Sequence, residues 1–477
     1  MLKNNRNKII SGVFVYLMFS ACGIPKITQR KANKDVPSTY QHSTDSTNSA
    51  KLSWKNFFTD PYLSALIDTA LKNNQELNIT MQEILISQNE VRTRKGEYLP
   101  SVGIGAGAGL EKRARYTPFG ANEATTEIKP GTEMPEPVPD FQLGAYASWE
   151  LDVWQKLRNG KRAAVANYLA SVEGKNFMVT SLIAEIANSY YELLALDNEM
   201  DIVQKNITIQ NNAFEVVKQQ KQAAKVTELA VKRFEAQLLK TRAMQYTIKQ
   251  DIVETENRLN FLVGRYPQKI DRTFQGFNEL STNGIQAGVP MQLLENRPDI
   301  KQAELELEAA KLDVKVAKAR FYPSLGISAG VGLQAYKISL LSSTPESIMF
   351  SLVGDLMTPL INRNAIKAMY KSANNKQIQA VYNYEQTILN AYVEVLNQLA
   401  NIENMRNSYE LKKQEVAALD QSIKISNDLF RSARADYFEV LLTQREALDV
   451  KFELIETKMK QMAARVNVYR ALGGGWE

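Results

Sequence analysis

The sequence predicts an α+β membrane protein built from two tandem structural repeats. Each repeat supplies one β-hairpin to a barrel wall and long helices to a coiled-coil tube. Three observations predict this. LPSVGIGAGAGL (99–110) and YPSLGISAGVGL (322–333) alternate apolar with small or polar residues and start 223 positions apart. Helix-like stretches much longer than a globular domain needs fill most of the remainder. The chain also opens with the layout of an exported protein.

Lys3, Arg6 and Lys8 precede the apolar run IISGVFVYLMFSA (9–21). A basic start followed by a short apolar stretch describes a signal peptide over 1–21, too short to span a bilayer as a mature helix. Those three residues account for half of the formal charge of +6, and no basic cluster points to nucleic acid. The sole cysteine, Cys22, follows directly in MFSACG. One cysteine forms no internal disulfide, and a reactive thiol is a liability in an oxidising compartment. The alternative is a lipidated first residue. The stretch resembles a lipoprotein cleavage site, with Ser20 and Ala21 at its small positions and Phe19 in place of the usual leucine. Polar, aperiodic sequence makes 22–50 a lipidated N-terminus and flexible linker. The only histidine, His42, lies there, so a zinc site or a histidine-activated nucleophile has no support. Catalytic and metal-ligating residues are therefore expected to be none, and the only cofactor expected is a covalent lipid on Cys22.

The rest reads as repeat 1 (51–288) and repeat 2 (289–477). NSYYELL (188–194) pairs with NAYVEVL (390–396), and LVG (262–264) with ALG (471–473), which predicts a shared fold. Each repeat begins with an amphipathic helix, over 61–98 and 297–321, ended by Pro100 and Pro323. The first hairpin covers about 100–154, returning through FQLGAYASWELDVW, where Phe141, Leu143, Ala145, Ala147, Trp149, Leu151 and Val153 alternate with small or polar residues. The second covers about 323–358, with Ile348, Phe350, Leu352 and Leu356 on one side. Long helices follow over 159–264 and 362–472. Leu441, Leu448, Phe452, Ile455, Met459 and Met462 show the 3-4 spacing of coiled-coil packing.

Four strands in one chain leave two open edges, which lipid does not tolerate. A sheet packed on helices would show the same alternation. Strands of about ten residues, however, match tilted membrane-spanning strands, and a small, polar face suits a water-filled lumen. Closure then needs several chains: two give eight strands and a filled interior, three give twelve and room for water. Glu150, Asp152 and Asp355 are expected to be lumen-facing acids. Glu150 and Asp152 either set ion preference or cap the helix start.

Four stretches carry a family resemblance: WKNFFTDPYLSALIDTALKNNQELNI (54–79), VPMQLLENRPDIKQAE (289–304), SWELDVWQKLRNGK (148–161) and ALGGGW (471–476). Together they resemble the lipoprotein branch of the TolC-like outer membrane efflux proteins, with Arg297, Pro298 and Asp299 at its diagnostic structural motif. The resemblance implies a homotrimer with a twelve-stranded outer membrane β-barrel and a periplasmic α-helical barrel. It also implies a periplasmic adaptor (membrane fusion) protein and an inner-membrane transporter of the resistance-nodulation-division class as partners. The chain would be a passive exit duct for drugs or other small molecules in a Gram-negative outer membrane. By motif position it places a periplasmic gate at Phe438, Arg431 and Arg445. Leu442 stands where the family often has a latch aspartate, leaving Asp436 or Glu439 to supply the carboxylate. Lys225, Val226, Thr227 and Glu228, with Arg434 and Ala435, form the turns expected to touch the adaptor. A duct for type I protein secretion and a pore-less, lipid-anchored coiled-coil scaffold are the alternatives.

Overall fold

The computed structural model describes residues 24–476 except 29, 41–45, 274–275, 281–285, 360–362 and 433. Cys22 and His42 lie outside the described residues. The chain divides into two compact units: the first takes residues up to Lys31, Ile86–Tyr168 and Leu305–Val381, the second the remainder.

The first unit contains one four-stranded antiparallel sheet: β1 (Ser101–Glu111), β2 (Val138–Leu151), β3 (Ser324–Ala335) and β4 (Ile348–Met357), paired in chain order. Registers are unbroken. Ile104 lies opposite Ala145, Ala145 opposite Val331, and Val331 opposite Phe350. The β1–β2 connection contains a short helix, Pro118–Glu123, and a small ladder between Glu127–Lys129 and Thr132–Glu133. Its polar composition gave no periodic signal for either.

The helices longer than two turns are α1 (Pro61–Asn73), α2 (Gln75–Tyr98), α3 (Lys156–Gln222), α4 (Glu228–Val263), α5 (Pro298–Ala319), α6 (Asn364–Arg431) and α7 (Tyr437–Ala471). The 67 residues of α3 rise roughly 100 Å. The expected single helix over 61–98 is corrected to two, broken at Asn74. That side chain does two jobs: its Oδ1 accepts from the Leu77 N–H at 2.9 Å, and its Nδ2 donates to the Leu262 carbonyl at 2.9 Å. An asparagine acting as an N-cap ends one helix and starts the next.

The second unit holds the main core. Leu63, Ile67 and Ala70 of α1 pack with Ile183, Ile186, Tyr190 and Leu193 of α3 and with Leu259 and Val263 of α4. Phe57 stacks on Tyr469 of α7, centroids 4.0 Å apart.

The flexible linker expected over 22–50 is corrected where it is described. In the first unit Ile24 and Ile27 pack against the cluster of Ala317, Phe321 and Tyr370. In the second, Tyr40 is buried and stacked on Tyr392, and the Lys34 amine pairs with Glu304. Polar composition masked four well-spaced anchors, which suffice to lay the segment against α5 and α6.

Candidate functional site: a two-faced sheet and two helix-hairpin tips

Register sorts every strand residue onto one of two faces. One carries continuous apolar rows: Ala106, Leu143, Leu333, Ile348; Ile104, Ala145, Val331, Phe350; Val102, Ala147, Ala329, Leu352. This face is not covered by its own chain, since Ile104 and Phe350 are each 84% exposed. Burying such a surface contributes about 25 cal/mol per Å², so water is the wrong solvent for it. The other face reads Gly103, Tyr146, Gly330, Ser351, then Ser101, Ser148, Ser328, Val353, then Glu150, Gly326, Asp355. At one end Trp154 stacks on Tyr322 with centroids 4.7 Å apart and donates to the Pro323 carbonyl at 2.7 Å. Trp149 donates to the Tyr98 carbonyl at 3.1 Å. Such amphipathic rings settle at lipid–water boundaries.

Glu150 and Asp355 lie in one row of the small, polar face, with Gly326 between them. They line a cavity of about 450 Å³ with Ser148 and Ser328, and Glu150 also pairs with Lys156. Of the two expectations for Asp152 the lumen acid is corrected and the helix cap holds. Strand β2 ends at Leu151, and the buried Asp152 carboxylate accepts from the N–H groups of Leu157 at 3.0 Å and Arg158 at 2.9 Å. It caps the start of α3, where a carboxylate meets unpaired N–H groups and the positive helix end.

The α3–α4 tip turns through Ala224, which has φ 57°. Lys225 and Thr227 are exposed, Val226 is half-buried, and the Thr227 hydroxyl caps α4 by accepting from the Ala230 N–H at 3.4 Å. Glu228 pairs with Lys221. At the α6–α7 tip Arg431, Arg434, Asp436, Glu439 and Arg445 are exposed and Ala435 is half-buried. Asp436 is the N-cap residue of α7, although its carboxylate makes no cap hydrogen bond. An apolar cluster joins the two tips of one chain: Val217, Ala230, Val231 and Phe234 against Tyr437 and Leu441. Phe438 is 49% exposed, and the Arg233 guanidinium of α4 lies 5.4 Å from its ring centroid. Sequence reasoning missed Arg233, because its only signal was a position five residues beyond Glu228 on the opposite hairpin.

The Arg297 motif forms a buried junction in the second unit. Its Nε and Nη2 donate to both Asp299 carboxylate oxygens at 3.0 and 2.7 Å. Its Nη1 donates to Glu394 Oε2 at 2.9 Å and to the Ala471 carbonyl at 2.7 Å. Burial opposes the charge, but Asp299 and then Glu394 outweigh it and hold the guanidinium pKa above its ordinary value. Pro298 opens α5 at a position whose missing N–H costs nothing. Two further anchors escaped sequence reasoning. Arg272 is held by Asp197 and Glu256. Lys458 donates to the Leu280 carbonyl at 2.6 Å, with burial pushing its pKa down.

A sheet greasy on one side and small or polar on the other, continued into coiled coils, defines a subunit of a membrane channel wall. Comparison with known proteins gives the family. The model of the outer membrane efflux protein family matches residues 66–265 and 289–474. The chain is 26% identical over 423 residues to "Probable outer membrane lipoprotein SilC" of Salmonella typhimurium, covering 89% of this chain and 88% of that one. It is 25% identical over 471 residues to the cation efflux system protein CusC of Escherichia coli, covering 97% and 98%. A crystal structure of a membrane protein from Pseudomonas aeruginosa superposes with TM-score 0.85 at 24% identity, covering 94% of this chain and 99% of that one. The chain belongs to the outer membrane efflux protein family. It is an outer membrane efflux protein with the fold of solved outer membrane channels.

Proposed function

We propose that three copies of this chain close a twelve-stranded barrel and form the passive exit duct of a tripartite efflux pump. One observation carries the reading. The sheet has two edge strands, β1 and β4, without second neighbours among the described residues, and its apolar rows lie bare. Strand pairing between copies satisfies the edges, lipid covers the apolar rows, and the row of Glu150 and Asp355 faces the water path. The partners are a periplasmic adaptor and an inner-membrane transporter of the resistance-nodulation-division class. The adaptor meets Lys225, Val226, Thr227 and Glu228 on one tip and Arg434 and Ala435 on the other. The cargo is a small molecule selected largely by the transporter.

In this reading Phe438 narrows the tube at its periplasmic end, flanked by Arg431, Arg445, Asp436 and Glu439. A phenyl ring stacked under a guanidinium is worth roughly 0.5–1 kcal/mol at an exposed site, enough to bias a gate but not to lock it. In planar bilayers Phe438→Ala is expected to raise basal conductance several-fold. A correctly assembled variant with wild-type conductance would remove Phe438 from the gate.

Cys22 carries the lipid anchor, a reading supported by the lipoprotein name of SilC and by the sequence around the cysteine. Growing cells fed labelled palmitate should label the wild-type chain and not Cys22→Ser. Label persisting in the variant would place the lipid elsewhere.

A further inference from the structure

We propose that a basic cavity below the sheet binds the headgroup of an anionic phospholipid in the periplasm-facing leaflet of the outer membrane. The proposal rests on the membrane-spanning reading of the sheet and adds a site to it.

The cavity has a volume of about 380 Å³ and lies in the first unit. Lys311, Lys315 and Lys318 line it from α5, and Arg30 and Lys31 from the N-terminal segment. Positions 311, 315 and 318 share one helix face by their spacing of four and three. Among the described residues one acid lines the cavity, Glu308, and it sits 3.6 Å from the Lys311 amine. Four lysines against one carboxylate among the described residues leave a positive excess even with Arg30 set aside. The three lysines are exposed, so their long stems can carry the ammonium groups toward a phosphate.

Height along the helix selects the ligand. Trp154 stacked on Tyr322 marks the boundary between headgroups and hydrocarbon. Lys318 lies one residue and Lys311 eight before the end of α5 at Ala319, roughly 2 and 12 Å along the helix below the turn that carries Tyr322. This is the depth of headgroup phosphates and the water beneath them. Ile27, Val314 and Tyr370 supply an apolar side to the cavity. A soluble phosphate has no use for such a surface, whereas the glycerol and first methylenes of a lipid do. Basic residues next to a membrane attract anionic lipid with roughly five-fold gain in affinity per residue.

The test uses full-length protein in nanodiscs of phosphatidylethanolamine with and without phosphatidylglycerol, released and weighed by native mass spectrometry. The assembled wild-type protein should retain phosphatidylglycerol in preference to phosphatidylethanolamine. The triple variant Lys311→Gln, Lys315→Gln, Lys318→Gln should lose that preference at least ten-fold, and Lys240→Gln, far along α4, should keep it. Should the triple variant fail to assemble, the single Lys315→Gln change should still cost several-fold. Equal retention by wild type and assembled variants overturns the proposal. So does stripping of the lipid by millimolar inorganic phosphate, which would mark a free-anion site. A wild-type chain that never enters the nanodisc overturns the channel reading and this site together.

Discussion

Arg297 shows how one side chain can tie three helices. It reaches the start of α5, the middle of α6 and the last turn of α7. Its counterpart in the first repeat stands 223 positions earlier and is Asn74. That side chain donates to the Leu262 carbonyl, and Leu262 is the residue that LVG–ALG pairing sets opposite Ala471. The two repeats thus place unlike donors on equivalent carbonyls. The glycines that follow agree. Gly264 and Gly473 both have positive φ, 75° and 87°, and a Cβ would stand 2.3 Å from the Asn73 carbonyl oxygen in one and 2.8 Å from the Asn296 carbonyl oxygen in the other. Removing one partner of a buried ion pair leaves an uncompensated charge, at about 3–5 kcal/mol. Arg297→Ala is therefore expected to lower the thermal midpoint followed by helical circular dichroism well below that of Asn74→Ala, which loses two neutral hydrogen bonds. Glu394 keeps Arg470 at 2.8 Å, so equal midpoints would show that Asp299 finds another partner.

At the scale of elements, the strands were legible because alternation is a two-residue signal that survives without tertiary context. The same signal set the faces, and register confirms them: Ile104, Val331 and Phe350 share one row. Asp152 was left between lumen acid and helix cap because the alternation runs on through Val153, two residues past the end of the strand, and only the approach of the Leu157 and Arg158 N–H groups shows that helix α3 has claimed it. The break at Asn74 was hidden because α1 and α2 both keep helical composition. The packing of Tyr40 was hidden because a lone aromatic in polar sequence carries no period. The two faces make opposite predictions for one substitution. Phe350→Arg puts a cation on the lipid face, where a midplane charge costs about 2–4 kcal/mol, and should deplete heat-modifiable protein in outer membranes. Ser351→Arg, one residue on, should leave assembly intact and change ion preference in bilayers. A reversed pattern would mean that the faces are inverted.

For the whole molecule, the sequence told more about the wall than about its ends. The duplicated plan, the hairpins and the long helices follow from periodicity and from proline and glycine placement. The tips do not: Phe438 was singled out only by position within a motif, while Arg233, whose guanidinium lies over its ring, stands 205 residues earlier in the chain. Contacts at such separation leave no local mark, and the same holds for Arg272 with Asp197. The account as a whole depends on neighbouring chains joining β1 to β4 into a closed ring. Native mass spectrometry of the detergent-purified protein, paired with the sheet signal in its infrared spectrum, tests this most directly. The account predicts three chains per particle with intact antiparallel sheet, and single chains that retain the sheet, or trimers lacking it, would contradict it.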